Sequence, residues 1–358
     1  MKVLELKEFN RIEIAERPDP EPGPGQVLLD LVATGICGSD IHGYTGHNGR
    51  RVPGQVMGHE TVGLISALGA GLNDPALTEG AVATFNPLIS CGKCSLCSAG
   101  QQQHCPERTV IGVNPELVSA FAQKIVVPAG NVVVLNADNP IAYGALIEPL
   151  AVAFHAARRA RIKAGDKVLI TGGGPIGQSC VLAALHEGAA RVLVSEPDAG
   201  RRELCVRIGA AVVDPAAGSL PELVSGEFGG PSDVTIDAAG ITSTITGALE
   251  STRFGGVVLL VGMGAPRIEL PAYKVSTEER ELIGSFAYTA RDFDDAAAWV
   301  NQGSTVLATL ISREVSMDEA DAAFRGLAAA DGTPGKVIVR LDRSSEASAP
   351  AAVAASRA

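Results

Sequence analysis

The chain has 358 residues, 46% of them apolar, and a formal net charge of −11. It exceeds the length at which one core usually keeps growing, so two domains are expected; its acidity, with no Lys/Arg run to offset it, excludes nucleic acid and membrane surfaces as expected partners and favours small molecules. No apolar run approaches the ~20 residues that span a bilayer, and the opening MKVLELKEFNRIEIAERPDP mixes charges into its apolar positions where a secretory leader would be unbroken, so a cytoplasmic location is expected.

Residues 1–146 are rich in Gly, Pro and short β-type runs such as Gln26-Val-Leu-Leu-Asp-Leu-Val, which predicts a β-barrel-like domain with long loops. Within it, "GICGSDIHGYTG" carries Cys37, Ser39, Asp40, His42 and Tyr44, and "MGHE" carries His59 and Glu60. With Glu148 from "LIEPLAVAFHAARR" they offer a thiolate, an imidazole and carboxylates, enough for the three protein ligands of a catalytic zinc with its fourth position open. Each residue alone also has a bland reading, as packing in a turn or as surface polarity, and counting residues leaves both open.

"CGKCSLCSAGQQQHC" then places Cys91, Cys94, Cys97 and Cys105 in a C-x2-C-x2-C-x7-C run, with Gly92 and Gly100 easing the turns. A disulfide-linked loop and an iron–sulfur cluster are the rivals. In a reducing compartment clustered cysteines point to metal, and four sulfurs leave no open coordination position, so the reading is a structural zinc with His104 left over.

From Asp166 strands and helices alternate, the pattern of a doubly wound parallel sheet. After the strand at 167–171, "TGGGPIG" sets Gly172, Gly174, Pro175, Ile176 and Gly177 as a nucleotide loop opening a helix, where backbone amides meet a pyrophosphate. Glu196, 24 residues past Gly172 at the end of the next strand, would accept from a ribose hydroxyl and repel a 2′-phosphate, which favours NAD over NADP; Arg201 and Arg202 stand nearby. Cys180 and Cys205 read as core, Phe121 and Phe154 as core or pocket wall, His155 and His186 as structural, and the acidic stretch around Asp292, Asp294 and Asp295 as a solvated face. The closing Gly335-Lys-Val-Ile-Val-Arg-Leu belongs to a segment too short for its own core, so it is expected to rejoin the first domain. The domains are therefore set at 1–146 with 283–343, and 147–282, followed by a flexible tail at 344–358.

Taken together, "GICGSDIH", "GHE", the four-cysteine loop, "GALIEP", "GDKVLITGGGPIG" and "GKVIVRL" resemble, in order and over nearly the whole chain, the zinc-dependent medium-chain alcohol dehydrogenases, and more closely their polyol branch typified by sorbitol dehydrogenase. The resemblance implies a GroES-like β domain, a Rossmann domain for NAD, and a dimer or tetramer. It implies Cys37, His59 and Glu60 as catalytic zinc ligands, with Glu148 where typical members carry a ligand cysteine. It implies Ser39 as the hydroxyl that takes the substrate proton and His42 as its relay to solvent. Where sorbitol dehydrogenases carry a Phe-Arg-Tyr stretch, this chain has Phe286-Ala287-Tyr288, so sorbitol itself is in doubt, while Phe286, Tyr288 and Tyr44 remain candidates to contact a polyol, cyclitol or sugar derivative. Threonine 3-dehydrogenase, butanediol dehydrogenase and a zinc-stabilised NAD sensor without turnover are the alternatives.

Overall fold

A computed structural model describes residues 1–47 and 49–341; the tail expected at 344–358 lies outside them. Six parallel strands form one sheet in the order Ala211–Val213, Arg191–Ser195, Lys167–Thr171, Ser232–Asp237, Thr252–Leu260, Glu281–Gly284. Val168, Leu169 and Ile170 are fully buried, the unbroken apolar run required of a strand covered on both faces. This strand comes first in the sheet and sits near its centre, and the chain winds outward on either side of it. A crevice therefore opens at its carboxyl end, the position where such sheets bind ligands.

A second sheet of seven strands runs Ile311–Ser316, Lys336–Arg340, Gln26–Gly35, Glu60–Leu68, Val82–Phe85, Val132–Val134, with Lys124–Pro128 also pairing with Gln26–Gly35. Gly35 lies opposite Glu60 on one side and Ile338 on the other, both antiparallel. Residues from three distant parts of the chain thus meet at one end of the central strand. The closing run Lys336–Arg340 enters this seven-stranded sheet. The strand Glu281–Gly284 pairs in the parallel sheet, and the helix Ala290–Val300 after it buries Phe293 and Ala296 in the same apolar cluster as the helix Ile147–Arg159. No helix among the described residues is long and apolar enough to cross a membrane.

The acidic stretch expected to be a solvated face is solvated only in part. Asp294 is exposed, but Asp292 is 3% exposed. Its carboxylate accepts from Thr289 N at 3.0 Å, from Arg158 at 2.7 Å, and pairs with His155 Nδ1 at 2.8 Å. The reason is position: third in its helix, it closes a capping box with Thr289 and faces Ile147–Arg159. Burial works to raise its pKa, yet His155, Thr289 and Arg158 hold it far below the ordinary value. A folded pKa below the unfolded one contributes stability that is complete at neutral pH and is lost as the pH falls below about 4. Asp292→Asn is expected to cost about 3 kcal/mol at pH 7 and progressively less as the pH is lowered from 5, measured by urea unfolding. A cost that does not shrink in acid would show that the carboxylate charge is irrelevant.

Candidate active site

The helix Gly38–Tyr44 begins directly after the central strand, and Asp40 Oδ2 accepts from the backbone N–H of Cys37 at 3.1 Å, fixing that corner. Across the strand pairing, Cys37 Sγ, a His59 ring nitrogen and a Glu60 carboxylate oxygen all come within 4.8 Å of one another. Asp40 Oδ1 stands 3.8 Å from His59 Nδ1, and neither atom has a hydrogen-bond partner. A proton on Nδ1 is the one Asp40 stabilises, which leaves the other ring nitrogen as a metal donor. Burial opposes a charge on His59, but the neighbouring Asp40 and Cys37 outweigh it and push the imidazole well above its usual value. The same negative surroundings favour a metal cation in place of the second ring proton, and the sulfur, nitrogen and oxygen donors suit zinc.

Ser39 and His42, three residues apart, share one face of the short helix. Ser39 Oγ is buried without a partner. His42 is half-buried beside His47, their rings 5.8 Å apart, and burial followed by His47 lowers its pKa. Glu148 opens the helix Ile147–Arg159 and lies outside the close donor set. Its Oε1 accepts from the Tyr288 hydroxyl at 3.0 Å. Burial, reinforced by Glu60 against the pull of His59, pushes Glu148 up to about 7.

In the cysteine loop all four thiols are free. Four sulfurs at the ~2.3 Å of a zinc–thiolate bond stand about 3.8 Å apart on a tetrahedron. Here Cys91–Cys97 and Cys94–Cys105 are 3.9 Å and Cys91–Cys105 3.6 Å, so the loop is already shaped for the ion. Gly92 and Gly100, at φ of 70° and 72°, make the left-handed turns that bring the sulfurs round. The amides of Lys93 and Cys94 draw the Cys91 thiol down to about 7, towards the thiolate that binds metal. His104 is exposed and outside the cluster.

At the crevice of the parallel sheet, Gly172 turns at φ 97° and Gly177 packs so closely on the Gly172 carbonyl that no side chain fits. Gly174 precedes the helix Pro175–His186, and a Cβ there would meet only the Arg201 guanidinium, 3.9 Å away. An open cradle at a helix N-terminus suits a pyrophosphate. Pro175 takes the first helical position and Ile176 is half-buried beneath the loop. Glu196 accepts from Gly173 N at 2.6 Å and Asp198 N at 2.9 Å. Arg202 is committed to the carbonyls of Glu196 and Pro197, both at 2.7 Å, and to Asp214, which leaves Arg201 as the guanidinium beside the loop.

Residues 23–137 match the alcohol dehydrogenase GroES-like domain and residues 175–302 the zinc-binding dehydrogenase family. The chain is 34% identical to 2-dehydro-3-deoxy-L-galactonate 5-dehydrogenase of Pseudoalteromonas atlantica, over 92% of this chain and 94% of the other. It is 30% identical to D-xylulose reductase A of Aspergillus niger, over 91% and 93%. A solved structure from Sinorhizobium meliloti 1021, described as a zinc-binding dehydrogenase bound to NADP, superimposes with a TM-score of 0.87 at 33% identity, covering 95% of this chain and 98% of the other. The chain belongs to the zinc-dependent medium-chain dehydrogenases.

In this dehydrogenase the residues expected to touch substrate separate. Tyr44 is a correction: it is 1% exposed, its hydroxyl donates to the Asn10 carbonyl at 2.6 Å, and its ring packs on Phe324. It lies on the face of its helix turned towards the core. Ala287 adopts a left-handed φ of 49°, which costs roughly 1 kcal/mol. On either side of it Tyr288 is buried against Glu148, while Phe286 is 44% exposed under the Arg108 guanidinium. Lys336, to which no sequence motif assigns a role, is buried against Glu60. Arg51 is likewise unmarked by any motif; it is 3% exposed, and burial lowers its pKa against the opposing influence of Asp40 and Cys37. A charged residue beginning an apolar closing strand was the available signal for Lys336.

Proposed function

We propose that this dehydrogenase oxidises a secondary alcohol of a small polyol, cyclitol or sugar derivative to the ketone, with NAD as hydride acceptor, in the cytoplasm. The observation that carries the reading is the cluster of three unlike donors, Cys37, His59 and Glu60, beside the unpartnered Ser39 hydroxyl. Three protein donors leave a position for substrate, whereas the four-cysteine loop leaves none. The names borne by the relatives, for a sugar acid and a pentulose, support a polyhydroxylated substrate.

When bound, zinc supplies Lewis acidity towards a substrate hydroxyl and the nicotinamide supplies the hydride acceptor. The chain's own residues do the rest. Ser39 Oγ takes the hydroxyl proton, and His42 carries it to solvent. Its lowered pKa keeps it neutral, and so able to accept, at physiological pH. Asp40 holds the imidazole of His59 in register. The loop Gly172–Gly177 cradles the pyrophosphate, and Glu196 accepts from the ribose; a second negative charge there would be repelled, which supports NAD. The parallel sheet ends at Glu281–Gly284, with no further strand beside it among the described residues, and such an edge supports assembly into a dimer or tetramer.

A panel of polyols, cyclitols, sugar acids, threonine and butanediol, each with NAD and with NADP and followed by the absorbance of reduced nicotinamide, tests the reading. Turnover of polyhydroxylated substrates with NAD is expected. Activity on threonine alone overturns the substrate class, and a preference for NADP overturns the role given to Glu196.

A further inference from the structure

Lys336 is the first residue of the closing strand, and its side chain is almost wholly buried. Its ammonium stands 2.8 Å from Oε1 and 2.7 Å from Oε2 of Glu60, and 3.3 Å from the Ile36 carbonyl. The strands carrying the two residues are not neighbours, because Gln26–Gly35 lies between them. Their side chains meet across that strand only because Gly35 has none: a methyl group there would run into the Glu60 carboxylate and the Lys336 stem. The bridge is therefore built by register and by one glycine.

We infer that Lys336 is a positioning residue that keeps Glu60 a weak, displaceable donor within the Cys37, His59 and Glu60 cluster. The inference rests on the reading of that cluster as the catalytic metal site. An ammonium that donates to Oε1 and lies beside Oε2, itself without a hydrogen-bond partner, draws on the carboxylate charge that a metal would bind. A carboxylate held in this way yields its coordination position to a substrate oxygen more readily than a free one. Glu148, the other carboxylate at the site, is engaged by Tyr288, so each carboxylate is restrained by a protein donor. Without Lys336, Glu60 would bind more firmly as the third donor beside the open fourth position.

The test uses the zinc-loaded full chain and its cobalt-substituted form. In Lys336→Met, release of the catalytic-site metal to a chelator is expected to slow at least tenfold, the visible cobalt band to shift, and kcat to fall at least tenfold. Lys336→Arg should restore all three towards wild type. Adding Glu60→Gln to Lys336→Met should abolish the slow release, because the effect passes through Glu60. Gly35→Ala, which separates the pair and keeps both charges, should move release in the same direction as Lys336→Met. Wild-type release and spectrum in Lys336→Met overturn the inference, as does faster release from that variant. A wild-type chain that holds only the cysteine-loop metal overturns the underlying reading of the site instead.

Discussion

Cys37→Ser is expected to lower kcat about 1,000-fold while halving the metal content from two ions per chain to one. The size follows from what is lost: polarisation of the substrate oxygen by a metal contributes several kcal/mol, and about 4 kcal/mol corresponds to three decades in rate. Serine nearly preserves the shape of cysteine, so the helix Gly38–Tyr44 keeps its start and Asp40 its bond to the residue 37 amide. The hydroxyl, however, is a far poorer zinc donor than a thiolate. Thermal stability should hardly change, because the apolar cluster around Val27, Leu29 and Phe121 does not depend on the ion. Ser39→Ala provides the contrast, with kcat reduced and both ions retained. Retention of two ions and of activity in Cys37→Ser would remove Cys37 from the site, and the proposed chemistry with it.

The parts of this design that were legible in the sequence are those whose members lie close together in it. The four cysteines fall within fifteen residues, and the nucleotide loop carries its glycines between a strand and a helix that periodicity alone predicts. What was hidden depends on register and on which face a side chain takes. Cys37, His59 and Glu60 are joined by the pairing of Gly35 with Glu60, which no local pattern states. In the sequence Lys336 is one letter of a strand-like run. Tyr44 and His42 are two positions apart on one short helix, and only the packed helix shows that one faces the core and the other is partly open. Asp292 looked solvated because its neighbours are acidic; its burial follows from a capping role and from His155 and Arg158 on a helix more than a hundred residues earlier.

Removal of the second metal should have a different signature. Cys105 is the one ligand of the cysteine loop that is fully buried, whereas the short helix Ser95–Ser98 within the loop buries nothing. The loop therefore has almost no apolar core of its own, and the four thiolates must supply its order. Structural zinc stabilises isolated fingers by about 10–16 kcal/mol, but here the lobe has its own apolar cluster, so only the order of the loop is at stake. Cys105→Ala is expected to lower Tm by roughly 5–10 °C, the equivalent of a few kcal/mol, and to expose residues 91–105 to proteolysis while the ion at Cys37 and His59 stays bound. Arg108, which donates to the Cys105 carbonyl and lies over the Phe286 ring, links the loop to the segment leading to Tyr288 and Glu148. Loss of loop order should therefore appear in KM before kcat. A variant with unchanged proteolysis and two ions per chain would mean that the loop is ordered by contacts other than metal.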